Sequence, residues 1–191
     1  MPPKRKTKKR RLKRTLPGDR TDDIASMIRV DHAGEYGAKR IYQGQLAVLN
    51  KNPKVEKLLA HMAEQEAVHL DFFDREIADR QVRPSALHPL WHVSGYALGA
   101  ITAKMGVEAA MACTVAVEEV ISEHYAEQLA ALENNQHEKR LAAVIKKFKS
   151  EEEEHHDIGL KNDAEAAPAY PLLTKAIKAG AWLAIAVAKR V

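Results

Sequence analysis

The chain has 191 residues, enough for one domain with its own core, and its single Cys113 cannot pair within the chain; a disulfide-stapled scaffold is excluded and a reducing compartment is expected. The formal net charge of +4 is uneven, because residues 4–14 hold nine Lys and Arg and no acid, leaving the remainder at −5. Basicity thus belongs to a tail, read as a solvated arm attracted to anionic lipid; it has neither the apolar run of a secretory signal nor a following motif that would make nucleic acid a partner.

Residues 1–20 are expected to be this basic arm and residues 21–191 one helical domain. Thr21 or Asp22 can cap a first helix running to about Asn50, with Ile24, Ile28, Asp31, Glu35, Ala38, Tyr42, Gln45 and Leu49 on one stripe. A second helix starts at Pro53 and fades before Pro84, its stripe formed by Val55, Leu59, Met62, Glu66, His69, Phe73 and Ile77. Residues 88–117 are apolar and rich in small side chains, interrupted by Lys104 and Glu108, and are expected to open a long third helix continuing to about Glu133. After the Asn134-Asn135 turn, a fourth helix puts Leu141, Ile145, Phe148, Glu152, His155 and Gly159 on one face before Pro168. A last segment, residues 172–191, has an apolar centre at residues 179–188 bracketed by Lys175, Lys178, Lys189 and Arg190. No glycine-rich phosphate loop and no alternating strand pattern occurs from residue 21 onward, so the expected fold is all-α.

One pattern occurs twice: a core-facing Glu on one helix, then Glu-x-x-His on a following one. The first copy is Glu35 with Glu66 and His69; the second is Glu118 with Glu152 and His155. Two helices giving one Glu each and two giving an i, i+3 Glu/His pair are the ligand arrangement of di-iron or di-manganese ferritin-like four-helix bundles. Decoys make the choice of residues testable. In the run at residues 151–156, Glu153 and His156 have the same spacing as Glu152 and His155. Extending the Leu141, Ile145, Phe148 stripe by alternate steps of four and three reaches Glu152 and His155, whereas Glu153 and His156 lie about 100° around the helix. Likewise Met111, Val115, Ile121, Tyr125 and Leu129 bracket Glu118, while Glu119 looks to a weaker face. A lone buried His is ordinarily a hydrogen-bonded core residue, and a Glu quartet is ordinarily a solvated face. Two such sets on inner faces are different, because four buried carboxylates without a cation would be severely unfavourable. Carboxylate oxygens and imidazoles without thiolate suit iron or manganese. Spacing alone leaves oxidase, hydroxylase and iron-storage chemistry open.

Longer stretches narrow the choice. At Arg29-Val30-Asp31-His32-Ala33-Gly34-Glu35-Tyr36-Gly37-Ala38, at Ala112-Cys113-Thr114-Val115-Ala116-Val117-Glu118-Glu119 and at Glu153-Glu154-His155-His156-Asp157-Ile158-Gly159-Leu160, the chain resembles the demethoxyubiquinone hydroxylase family of ubiquinone biosynthesis. The resemblance runs from residue 22 to the C-terminus. It implies a ferritin-like di-iron mono-oxygenase with iron ligands at Glu35, Glu66, His69, Glu118, Glu152 and His155, and with His124 and Tyr125 near the site as proton- or electron-transfer groups. It further implies a polyprenyl demethoxy-benzoquinol and O2 as substrates, two Fe ions as cofactors, and NADH as the ultimate electron source. A lipid-presenting partner protein and a homo-oligomer are compatible with it. A ferritin-like protein that binds or oxidises iron without a quinone substrate is the alternative.

A polyprenyl quinol stays in the bilayer, so its enzyme must work at the interface. Residues 91–103 and 179–188 are apolar runs too short to span a bilayer, but long enough to embed a face beside flanking Lys and Arg. Additional membrane-facing apolar helices are therefore expected on the bundle. Because the basic arm does not resemble a mitochondrial leader, the expected location is the cytoplasmic face of a bacterial inner membrane, with the matrix side of the mitochondrial inner membrane as the alternative.

Overall fold

The computed structural model describes residues 24–190; the basic arm and the cap expected at Thr21 or Asp22 lie outside the described residues. Four long helices make the bundle: α1 (Ile24–Leu49), α2 (Pro53–Arg80), α4 (Val107–Leu132) and α5 (Lys139–Lys161). Two more, α3 (His88–Lys104) and α6 (Tyr170–Ala188), lie against α1 and α4. Local sequence sets the ends. Pro53 opens α2, whose N-terminus is capped by the Asn52 side chain accepting from the Val55 amide at 3.4 Å, and Gln81 closes it in the left-handed region at φ 56°. The fold is all-α among the described residues, as the sequence implies.

The long third helix expected across residues 88–133 is instead two helices, α3 and α4, broken at Met105-Gly106. Gly106 has φ 127°, a region that an L side chain rarely adopts. Lys104 and Glu108 flank this joint, but two charges four residues apart also suit the polar side of one continuous helix, so hydropathy alone hides it. Burial exposes the change: α4 is buried all round from Ala109 to Glu118, whereas α3 buries only Gly95, Gly99, Thr102 and Ala103.

Glycine brings α3 onto α1. A Cβ on Gly99 would stand 2.0 Å from the Ile41 carbonyl oxygen, and one on Gly44 would stand 2.2 Å from that of Tyr96. Backbone atoms cannot rotate away as side chains do. Gly99→Ala is therefore expected to force the helices apart and destabilise the chain by ~1–3 kcal/mol. At Gly180, mid-way along α6, a Cβ meets nothing within 4 Å; Gly180→Ala is expected to be neutral or stabilising by up to ~1 kcal/mol through helix propensity. Thermal melts of the two variants check the contrast.

The bundle core has two apolar halves. One gathers Met27, Ile28, Phe72, Phe73, Tyr125, Leu141, Ile145 and Phe148. The other gathers Tyr42, Leu59, Met62, Met111, Ala112 and Val115. α1, α2 and α4 contribute buried residues to both halves, and α5 to the first with its partly buried Ile158 packed against the second; the stretch between the halves carries the acids and imidazoles: Glu35 between Ile28 and Tyr42, Glu66 and His69 between Met62 and Phe73, Glu118 between Val115 and Tyr125, Glu152 and His155 between Phe148 and Ile158.

Outside the bundle, α3 exposes Leu90, Val93 and Ile101, with Met105 exposed just past its end, and α6 exposes Leu172 and Leu183. These are the apolar helices expected from the sequence. Judged by its uninterrupted run, α6 is half a membrane span; taken whole, its 19 residues form the one described helix long and apolar enough to cross a membrane, with 17% of that window buried. The difference arises because Lys175 and Lys178 interrupt the run without lowering the mean hydropathy enough to disqualify the helix.

Candidate metal centre

All six sequence-predicted side chains converge in the polar layer, and none is more than 1% exposed. They form two groups that share two members. One oxygen or nitrogen from each of Glu35, Glu66, His69 and Glu152 lies within 4.8 Å of the others, and the same holds for Glu66, Glu118, Glu152 and His155. Glu66 and Glu152 belong to both. The decoys stay out: Glu153 is 55% exposed and pairs with Lys149, and the His156 ring turns to Glu119 and Asp157.

The chemistry of the donor atoms tests whether divalent cations fit. Glu35 Oε2, both oxygens of Glu66 and of Glu152, Glu118 Oε2, and Nδ1 of His69 and His155 are all buried with no hydrogen-bond partner outside the cluster, and within it they face one another, His69 Nδ1 3.0 Å from Glu152 Oε1 and His155 Nδ1 3.2 Å from Glu66 Oε1. Such orphaned acceptors are costly in a protein interior unless something else occupies their lone pairs. Both imidazoles are set for it. His69 Nε2 donates to Glu151 Oε2 at 2.9 Å, and His155 Nε2 donates to the Gln65 side-chain oxygen at 3.0 Å. Each Nδ1 is thereby the nitrogen turned to the cluster, as ring hydrogen bonds from metal-binding histidines commonly arrange. The donor set fits two divalent cations.

Without a cation, the charges settle otherwise. Burial, followed by the charge of Glu152, raises both Glu66 and Glu118 well above the usual carboxylate range. Burial opposes charge on Glu152 as well, but the His155 and His69 imidazoles overcome it and hold Glu152 ionised, its pKa below the ordinary value. At His69, burial disfavours the imidazolium, yet Glu152 and Glu35 outweigh it and push the pKa up to about 11. Protons stand where cations would.

Tyr125 donates to Glu35 Oε1, so this predicted near-site residue meets the cluster directly. His124 is not among the residues that converge in this layer. It is turned to a neighbouring polar pocket, where Gln128 lies 2.9 Å from its Nε2 and Asp31 Oδ1 lies 3.6 Å away. Asp31 accepts from Gln128 at 2.5 Å, and burial raises its pKa.

Three partners were not legible as such. Tyr42, on the α1 stripe, donates to Glu118 Oε1 at 2.6 Å, which mirrors Tyr125 on Glu35. A signal existed, since a Tyr follows each terminal Glu by seven residues. Gln65 and Glu151 each stand one residue before the Glu of a Glu-x-x-His, and each reaches the His of the other copy. Cys113 takes no part: it is a core thiol pushed up to about 12 by burial.

Beside the centre lies a cavity of about 580 Å³ between α1, α3, α4 and α6, almost wholly apolar, with Ile41, Trp91, Leu98, Ile177 and Ile185 among its walls. Gly34 and Val117 also line it, each one residue before a terminal Glu of the cluster.

Fold and site together define a ferritin-like helical bundle around a doubled carboxylate and imidazole centre. The family described as ubiquinone biosynthesis protein COQ7 matches residues 22–188, and the chain belongs to that family. It is 54% identical over 178 residues to a Rhodospirillum rubrum protein named 3-demethoxyubiquinol 3-hydroxylase, with 92% of this chain and 83% of that protein covered. To a Homo sapiens protein named NADPH-dependent 3-demethoxyubiquinone 3-hydroxylase, mitochondrial, it is 53% identical over 169 residues, covering 87% of this chain and 77% of the relative. A Saccharomyces cerevisiae protein named 5-demethoxyubiquinone hydroxylase, mitochondrial, is 41% identical over 179 residues, covering 86% and 77%. The human relative's name specifies NADPH, where the resemblance read from sequence implies NADH.

Proposed function

We propose that the chain is a di-iron mono-oxygenase that hydroxylates the ring of a polyprenyl demethoxy-benzoquinol in ubiquinone biosynthesis. The observation that carries this reading is the apolar cavity set against a buried cluster of four carboxylates and two imidazoles. Glu35 and His69 would hold one iron, Glu118 and His155 the other, with Glu66 and Glu152 shared. When bound, two ferrous ions supply the electrons and open coordination positions needed to activate dioxygen.

The chain's own groups do the rest. Glu66 and Glu152 hold the two positions together. Tyr42 and Tyr125 orient the terminal carboxylates, and burial followed by the nearby carboxylate charge keeps both phenols protonated and so able to donate. The cavity walls exclude water and suit an isoprenoid tail, and Gly34 and Val117 leave room for a ring to approach the centre. A tail leaving the cavity passes between α3 and α6, whose exposed apolar side chains suit the surface of a bilayer. On this reading the enzyme works as a peripheral membrane protein. Reducing equivalents come from a nicotinamide dinucleotide, for which the relatives' names favour NADPH. No strand, and so no βαβ dinucleotide fold, occurs among the described residues, and on this reading the dinucleotide is met by a contact of another kind.

The test loads the protein with Fe(II), supplies a chemical reductant and a short-tail demethoxyquinone, and follows product by mass spectrometry under isotopically labelled O2. One labelled oxygen atom per product molecule is expected. Oxidised iron with unaltered quinone would overturn the reading in favour of ferritin-like iron handling.

A further inference from the structure

The centre has an internal pseudo-twofold symmetry that its hydrogen bonds follow closely. Glu35 and Glu118 each receive a phenol from the other's helix, Tyr125 from α4 and Tyr42 from α1. Each imidazole donates its Nε2 proton to the residue preceding the shared Glu of the opposite Glu-x-x-His, at 2.9 and 3.0 Å. Every residue in this arrangement has a counterpart of its own type, with one exception. Where His69 has the carboxylate of Glu151, His155 has the amide of Gln65.

A carboxylate and an amide act differently on a donating ring. An ionised acceptor draws the Nε2 proton more strongly, which makes Nδ1 a better electron donor and adds negative charge near the metal. An amide holds the ring in the same orientation without that effect. Lys147 sits 3.1 Å from the other oxygen of Glu151 and is itself 63% exposed. It favours the ionised form of Glu151 while water screens much of its own charge.

Resting on the two-metal reading above, we infer that the two positions are unequal: the one at Glu35 and His69 binds a divalent cation more tightly than the one at Glu118 and His155, because Glu151 and Gln65 support their imidazoles differently. The site fills in order. Glu151 is thus a positioning residue with an electronic role, and the acidic run at residues 151–154 contributes one member to the centre from its ligand stripe and another from beside it.

Co(II) tests this without turnover. Calorimetric titration of the metal-free protein is expected to resolve a tight and a weaker site. Crystals carrying one equivalent of Co(II) should show the anomalous signal beside His69. Glu151→Gln should weaken the tight site by ~10–100-fold and bring the two constants together. Gln65→Glu, on another helix and independent of any folding defect at residue 151, should tighten the weaker site. The double exchange Glu151→Gln with Gln65→Glu should move the first ion to His155, which loss of a merely structural contact would not do. Equal occupancy in the parent protein, or a preference unmoved by the double exchange, would overturn the inference while leaving the two-metal reading standing. Failure to bind Co(II) at all would overturn that reading and the inference with it.

Discussion

Glu152→Ala or His155→Ala is expected to abolish ring hydroxylation and strip the protein of iron, while Glu153→Ala and His156→Ala leave both nearly intact. The four residues lie within five positions of one helix and include two pairs with identical spacing, so sequence distance cannot separate them. Burial can. Glu152 and His155 are fully buried, and Glu152 belongs to both candidate metal groups. Its loss removes an oxygen donor from each position and takes the counter-charge from His69 and His155. Activity should fall by more than ~100-fold, beyond the range associated with losing only a supporting partner of a ligand. Glu153 holds a surface pair with Lys149, whose removal should change stability by no more than ~0.5 kcal/mol. Iron content by plasma mass spectrometry and product formation by chromatography give the two readouts. Iron loss in Glu153→Ala with retention in Glu152→Ala would refute the assignment of faces.

That assignment was readable because ligands must converge. A residue that meets a common point inside a bundle must lie on its helix's inner stripe, and stripes are what periodicity reports. Glu35, Glu66, His69, Glu118, Glu152 and His155 could therefore be placed in the core without coordinates. The supporting residues follow no such rule. Gln65 and Glu151 stand about 100° off the stripe and reach the centre by the length of their side chains, so Glu151 resembles its solvated neighbours until the helices are placed together. Tyr42 was visible as a core residue, but that it serves Glu118 rather than Glu35 depends on how α1 faces α4. The break at Gly106 was hidden for a related reason. Lys104 and Glu108 beside it read equally well as one polar turn of a continuous helix, and what changes is which surface each half covers: α4 fills the bundle, and α3 lies outside it on α1. His124 follows Glu118 by six residues, which turns it off the Glu118 and Tyr125 line and toward Asp31 and Gln128.

Metal-free protein is expected to lose stability steadily from pH 5 to pH 9, and metal to restore it most at the alkaline end. Burial, and then the charge of Glu152, holds the folded-state pKa of Glu66 and Glu118 well above their ordinary 4.5. The folded chain thus keeps protons that the unfolded chain gives up above that pH, and stability falls as pH rises. His69 works in the same direction. Its contribution is fully present below 6.5 and is lost as pH climbs toward about 11, at ~1.4 kcal/mol per pH unit between those values. Glu152 has the opposite sign, because His155 and His69 overcome its burial and lower its pKa; its contribution is present above 4.5 and lost only in more acidic solution. It leaves the interval from pH 5 to pH 9 untouched. A divalent cation takes the place of these protons, so it binds more tightly as pH rises and reverses the trend. Between pH 6.5 and 8.5 the His69 contribution alone corresponds to a fall of ~5–10 °C in the midpoint of the metal-free chain. Scanning calorimetry in chelator and in Co(II) across this range reads both curves. A metal-free midpoint that is flat or rises with pH would mean that the carboxylates and imidazoles of this layer are not the charges that limit the fold.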